Sequence, residues 1–270
     1  MIIDAHAHVF PDHIAPRILA TRPAGLSPAH DGTLAGLQRT MDAAGVDRAM
    51  CLAVATVPGH VRRSNEFIGS VDRQRLIPFG TVHPDLPVAE NLASLRENGI
   101  RGVKLHPLFQ QLSLADPRVI ELVGALAEDG IVVITHAGAG AGDDANERGA
   151  PRHLRALLDQ TPGLRLIACH FGGYHRLDEA AELVVGSPAY LETSWPPTLA
   201  GLDPERVRSL IRRHGADRVI FGTDWPMTDP AAELAAVRAL GLTAAEERAI
   251  LGGNLAALLG LDASRAADPA

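Results

Sequence analysis

Short runs of β-branched and apolar residues alternate along the chain with longer stretches in which apolar positions recur every three or four residues. The short runs are Met1–Ala5, Ala49–Ala55, Leu76–Val82, Ile100–Leu105, Ile131–Thr135, Leu164–Cys169, Tyr190–Ser194 and Arg218–Thr223. Each is bounded by Gly, Pro or polar residues and is apolar on both faces, as expected of parallel strands buried on both sides. The longer stretches read as amphipathic helices. Leu34, Leu37, Met41 and Ala44 lead to Gly45; Val119, Leu122, Val123 and Leu126 lead to Gly130; Val207, Leu210 and Ile211 lead to Gly215. A glycine just past the last periodic residue is a helix stop, because it takes the left-handed conformation without a Cβ penalty.

Strand, loop, helix and glycine follow one another eight times, at intervals of roughly 25 to 45 residues. No Pro- or Ser-rich linker and no charge block interrupts the series. The pattern predicts one domain over residues 1–270, a single (β/α)₈ barrel. An open doubly wound sheet normally uses fewer strands and places a glycine-rich phosphate loop after its first strand. Here the first strand runs into Ala5-His6-Ala7-His8-Val9.

Composition narrows the function. A formal net charge of −7 argues against a nucleic-acid binder working through a broad basic surface. No apolar run reaches the roughly 18 residues a membrane span requires. The start, Met-Ile-Ile-Asp-Ala-His, lacks the basic and cleavage regions of a signal peptide, so a cytoplasmic protein is expected. Cys51 and Cys169 are too few and too far apart for a disulfide framework. Of 25 basic residues only Lys104 is a lysine. Against such an arginine bias, a retained lysine is a candidate for chemistry that arginine does not perform, such as carboxylation or Schiff-base formation.

The active end of a (β/α)₈ barrel is the carboxyl end of its strands. Strand one ends in His6 and His8, strand four in Lys104-Leu105-His106, strand five in His136, strand six in Cys169-His170 and strand eight in Asp224. Side chains at i and i+2 of a strand face the same way, so His6 and His8 can hold one cation between them. Neutral imidazoles and a carboxylate are ligands expected of zinc or another first-row metal. Asp4 is expected to point with His6 and to lie one layer deeper, bonding backbone groups or orienting a ligand. Cys169 alternates with His170 and is expected to face the helices as a packed thiol, like Cys51.

These residues resemble the amidohydrolase superfamily, and within it the amidohydrolase-related branch containing aminocarboxymuconate-semialdehyde decarboxylase-like enzymes. The resemblance spans nearly the whole chain. It rests on Ile3-Asp4-Ala5-His6-Ala7-His8, Gly102-Val103-Lys104-Leu105-His106-Pro107, His136-Ala137-Gly138, His170-Phe171-Gly172-Gly173, Phe221-Gly222-Thr223-Asp224-Trp225-Pro226 and Ile250-Leu251-Gly252-Gly253-Asn254. It implies one divalent metal, zinc with manganese as the alternative, held by His6, His8, His136 and Asp224. It gives Asp224 and His170 the catalytic roles, His170 as acid/base or electrophile, or in some relatives as a further metal ligand. A second metal is implied only if Lys104 is carboxylated. Otherwise Lys104 is a cation facing a small anionic substrate, with His106 beside it and Trp225 as an apolar wall. The resemblance also allows a homodimer.

The expected activity is hydrolysis of a small ester, lactone or amide, with Asp224 as the proton acceptor. The alternative within the same family is non-oxidative decarboxylation of a small unsaturated or aromatic acid. A Schiff-base aldolase would explain Lys104 but leave His6 and His8 without a role, and a non-catalytic scaffold would not need the full ligand set. The loops Pro11–Gly32 and Ala137–Gly149 are candidates for covering the site. Trp195, like Trp225, is a candidate wall. His13, His30, His60, His83, His153, His175 and His214 read as surface or capping residues, with His83 and His175 near enough to reach the barrel mouth.

Overall fold

The β-branched runs become eight parallel strands. A computed structural model of the chain describes residues 1–21, 26–140 and 147–261. The strands are β1 (Ile3–His8), β2 (Arg48–Leu52), β3 (Leu76–Thr81), β4 (Gly102–Leu105), β5 (Val132–Thr135), β6 (Leu166–Ala168), β7 (Tyr190–Glu192) and β8 (Val219–Ile220). They lie side by side in chain order. The ring closes through backbone hydrogen bonds between β1 and the chain around and beyond β8: Ala5 N–H to Phe221 O at 3.0 Å, Trp225 N–H to His6 O at 3.0 Å and His8 N–H to Trp225 O at 2.7 Å. This is the predicted (β/α)₈ barrel.

Strand alternation sorts the apolar residues into two layers. Ile3, Met50, Phe79, Val132, Ile134, Ile167 and Ile220 fill the interior, joined by Leu255 from the helix Asn254–Leu259. Val103, Leu105, Val133, Leu166, Leu191 and Val219 face outward and pack on helix residues such as Leu37, Leu122, Leu154 and Leu210. Gly102 leaves room for this interior. A Cβ there would lie 2.2 Å from the Phe79 ring.

Helix boundaries follow local chemistry. Asp116-Pro117, Asp203-Pro204 and Asp229-Pro230 each open a helix, with the Asp side chain accepting a backbone N–H of the first turn. Proline is suited to this position because its missing N–H has no intrahelical partner there. The helix Leu34–Ala44 ends at Gly45, with φ of 71°.

Several strand boundaries differ from the sequence reading, and those of β1 and β8 bear on function. β1 continues through His8 instead of ending at Ala5, and its register against β2 shifts between Asp4 and Ala7. β8 is shorter than expected. The chain leaves the sheet through Gly222-Thr223-Asp224, where Asp224 takes a φ of 59°.

Candidate metal centre

Two residues apart on β1, His6 and His8 share a side that the register shift after Asp4 turns to the interior, and their Nε2 atoms lie 3.2 Å apart. Asp224 reaches them from the turn after β8. Its Oδ1 is 3.2 Å from His6 Nε2 and 3.6 Å from His8 Nε2. Asp4 anchors that turn: its carboxylate accepts from Thr223 N–H at 3.0 Å, Thr223 Oγ–H at 2.6 Å and His6 N–H at 2.9 Å. The backbone-bonding role expected of Asp4 is present, but its direction is not as expected. Ile3 and Ala5 occupy the interior, so Asp4 between them points away from it. The bulge restores His6 to the inside.

His136 and His170 form a second pair, with His136 Nδ1 3.2 Å from His170 Nε2. Their other nitrogens decide the tautomers. His136 Nε2 is 3.0 Å from Ala139 O, and His170 Nδ1 is 3.0 Å from Ser194 O. A carbonyl oxygen only accepts, so those nitrogens carry the protons of neutral rings. The two facing nitrogens are then lone pairs turned toward each other. That juxtaposition is favourable only with a cation between them, and two nitrogen ligands of a tetrahedral zinc stand about 3.3 Å apart. The two pairs adjoin, the His6 and His170 ring centroids being 5.5 Å apart.

Burial holds these rings neutral. His6 and His170 are pushed well below the usual histidine range and His136 down to about 3. After burial, Lys104 contributes most to the shifts of His6 and His136, and His136 to that of His170. A neutral imidazole is the form that binds a metal. His6, His8 and Asp224, whose ligand atoms lie within 4.8 Å of one another, therefore fit a divalent cation, whereas His136 lies outside that group and reaches it through His170.

Glu192 and Ser194 on and just beyond β7 also belong to the site, and sequence reading did not single them out. Glu192 Oε2 is 2.9 Å from His6 Nδ1, and Ser194 Oγ is 3.2 Å from His6 Nδ1 and 3.0 Å from His170 Nδ1. The available signal was the pattern Tyr190, Glu192, Ser194: polar residues at i and i+2 on a strand otherwise meant for burial.

Lys104 is wholly buried, with Nζ 3.1 Å from His6 Nε2 and 3.0 Å from Cys169 Sγ. Cys169 thus faces the barrel interior, contrary to the expectation that it packs against the helices. The reason is local. Cys169 keeps the alternation of Ile167 inside and Ala168 outside, and His170 and Phe171, with φ of 58° and 53°, end that alternation so that His170 turns inward as well. Burial pushes the Cys169 thiol up. Cys51, by contrast, lies in the outer layer as expected.

His106 is stacked between Phe109, centroids 3.9 Å apart, and His136, 4.7 Å apart. Gln110 fixes its backbone, accepting His106 N–H at 2.8 Å and donating to Val82 O at 2.8 Å and Ala55 O at 3.1 Å. Trp225 is fully buried in the outer layer and stacks on His30 at 5.9 Å. Trp195 contacts Tyr174, centroids 5.0 Å apart. Of the histidines expected at the surface, two are buried, His83 and, more deeply, His214. His214 accepts Gly186 N–H at Nδ1 and donates to Ala189 O from Nε2. In the two candidate covering loops, Ala29 and His30 N–H bond Pro226 O and Gly138 N–H bonds Gly149 O. Pro23 and Gly142 lie outside the described residues.

An eight-stranded parallel barrel with an imidazole and carboxylate cluster at the carboxyl ends of its strands is the architecture of a barrel enzyme with a divalent-metal centre. The chain belongs to the Amidohydro_2 family, described as amidohydrolase, whose model matches residues 3–261. This is an amidohydrolase-superfamily enzyme, and the family uses a divalent metal. Among curated proteins, nothing matches the sequence significantly. Similar solved structures include an uncharacterized TIM-barrel protein from Bordetella bronchiseptica, with 23% identity, 96% of this chain and 98% of that chain covered, and a TM-score of 0.77. A protein from Pseudomonas putida assigned as a 2-pyrone-4,6-dicarboxylic acid hydrolase has 23% identity, covers 96% and 97%, and has a TM-score of 0.68. A dihydroxybenzoic acid decarboxylase from Polaromonas sp. with bound manganese has 18% identity, covers 99% and 99%, and has a TM-score of 0.72. At these identities the likeness bears on the fold. No helix among the described residues is long and apolar enough to cross a membrane.

Proposed function

We propose that the protein is a metal-dependent hydrolase of a small anionic ester, lactone or amide. The observation that carries this reading is the convergence of His6 Nε2, His8 Nε2 and Asp224 Oδ1 within 3.2–3.6 Å at the carboxyl ends of β1 and β8. His6, His8, His136 and Asp224 would hold the cation, zinc or manganese. When bound, such a cation supplies an activated water at neutral pH. Asp224 takes the water's proton and returns it to the leaving group; its side chain, 15% exposed, is the most accessible of this group. The tautomer assigned to His170 makes Nε2 an acceptor. In this reading His170 joins His136 in facing the cation, and Asp224 alone carries the proton. Lys104 gives the site floor a positive charge that favours an anionic substrate, and its full burial means it acts through its field. His106, sandwiched between Phe109 and His136, borders the site, and Trp225 packs behind it, stacked on His30.

The second reading is non-oxidative decarboxylation of an aromatic or unsaturated acid. The similarity to a manganese-bound dihydroxybenzoic acid decarboxylase favours it. One experiment separates the two: the metal-loaded protein is offered a panel of lactones, esters, amides and hydroxybenzoic acids while ring opening and carbon dioxide release are followed. Hydrolysis without carbon dioxide supports the main reading, and carbon dioxide release supports the second. Metal content of wild-type protein against a His6→Ala, His8→Ala variant tests the premise. About one equivalent lost in the variant is expected for a mononuclear site, and none in the wild type after metal-replete growth would overturn it.

A further inference from the structure

We propose that Glu192 and Ser194 are positioning residues that fix the tautomers of His6 and His170, so that both rings present a lone pair to the cation. This rests on the metal-dependent reading and adds to it two residues that touch neither cation nor substrate. Glu192 is fully buried, and each of its polar partners is a donor. Ser194 N–H bonds Oε1, while the Ser194 hydroxyl at 2.8 Å and His6 Nδ1–H at 2.9 Å bond Oε2. With the proton of His6 held at Nδ1, the lone pair is on Nε2, the atom beside His8 Nε2 and Asp224 Oδ1. Ser194 extends the constraint to β6. Its hydroxyl hydrogen is committed to Glu192, so its oxygen and its carbonyl both accept from His170 Nδ1–H, each at 3.0 Å. The lone pair of His170 is thereby left on Nε2.

The arrangement requires a group that accepts on both oxygens. A glutamine at position 192 places its NH₂ against either Ser194 N–H or the pair of donors His6 Nδ1–H and Ser194 Oγ–H, in whichever orientation it sits. The barrel wall is also shaped around the carboxylate, since a Cβ on Gly222 would lie 2.4 Å from Glu192 Oε1. A plain structural role, in which Glu192 only ties β7 to β1, would be met by any side chain that hydrogen-bonds His6. It would not demand a particular nitrogen on His6.

The test reads the tautomer directly. In metal-free, ¹⁵N-histidine-labelled protein, long-range ¹H–¹⁵N correlation spectra show which nitrogen of each ring is protonated, with His6 identified by the signals missing from His6→Gln. His6 is expected to be protonated at Nδ1 in the wild type and no longer uniformly so in Glu192→Gln, whose zinc Kd should rise about ten- to a hundredfold. Glu192→Asp, which keeps two acceptors on a shorter arm, should recover part of the affinity. Wild-type His6 protonated at Nε2, or a Glu192→Gln protein with the wild-type tautomer and zinc Kd, overturns the proposal. If Glu192→Gln does not fold, the wild-type spectrum still decides for His6. Ser194→Ala decides for His170: Nδ1 protonation should become partial, and unchanged uniform protonation overturns the Ser194 role. A wild-type protein with the expected tautomers but no zinc binding overturns the metal reading instead, so the two failures are distinguishable.

Discussion

Lys104 shows how far single-residue reasoning reaches. Its rarity marked it and its strand placed it inside, yet only the folded chain brought its Nζ to His6 Nε2 and Cys169 Sγ. His6, His8 and Asp224 were legible because i and i+2 on a strand share a face and strand ends share the barrel mouth. Glu192 and Ser194 were not, because one acidic residue in a short strand has no sequence neighbour that reveals its partners, which lie on β1 and β6. Two predictions belong at this scale. Asp224→Asn keeps the side chain's shape but removes the proton acceptor. It is expected to lower kcat by about 10²–10⁴-fold, checked by steady-state kinetics at matched metal loading. His136, with its pKa pushed down to about 3, should govern part of the acid response of the metal-free protein. The unfolded ring takes a proton near 6.5, so between 6.5 and 3 the unfolded state binds more protons. The contribution of His136 is therefore complete above about pH 6.5 and is lost as pH falls toward 3. Urea midpoints of wild type and His136→Gln should converge over that interval.

At the scale of elements, glycine positions separate two kinds of constraint. Gly45 closes the helix Leu34–Ala44 at φ of 71° in open space, so Gly45→Ala should cost about 1 kcal/mol, from backbone strain alone. Gly102→Ala drives a methyl into the Phe79 ring and should cost more, about 1–3 kcal/mol. Chemical denaturation of the two variants checks both the order and the size. The helix Pro230–Arg238 holds the chain after β7 through Glu233, whose carboxylate accepts Leu199 N–H at 3.1 Å. Burial pushes that carboxyl up to about 7 from an ordinary 4.5. The native state therefore binds more protons than the unfolded one between those values, and stability falls as pH rises from 4.5 to 7. Glu233→Gln should remove this decline, so its stability relative to wild type should climb across that window and level off above it. Denaturant midpoints measured at several pH values would show the climb.

For the whole molecule, the barrel is a means of bringing side chains from distant strands to one point. Cation binding to the native state alone must then raise stability, by about 2.7 kcal/mol when free metal is 100 times Kd. For a chain of this length that corresponds to roughly 5–10 °C in Tm. Calorimetry with and without zinc, repeated on His6→Ala, His8→Ala, should show the shift in the first protein and none in the second.

The sequence by itself determined the barrel, because the alternation of buried strand runs and glycine-terminated helices is a local, repeated signal. It also located His6, His8, His136, His170 and Asp224 at strand ends, since strand ends are set by the same pattern. The tertiary structure decided the facing of residues where regular alternation fails. Asp4, between the inward Ile3 and Ala5, faces outward and the bulge beyond it turned His6 inward, while the left-handed backbone at His170 and Phe171 turned His170 inward beside Cys169. It alone brought Glu192 and Ser194 to His6 and His170. Periodicity gives a side chain's direction only while φ and ψ stay regular, and a hydrogen-bond partner some 190 residues away leaves no trace in it.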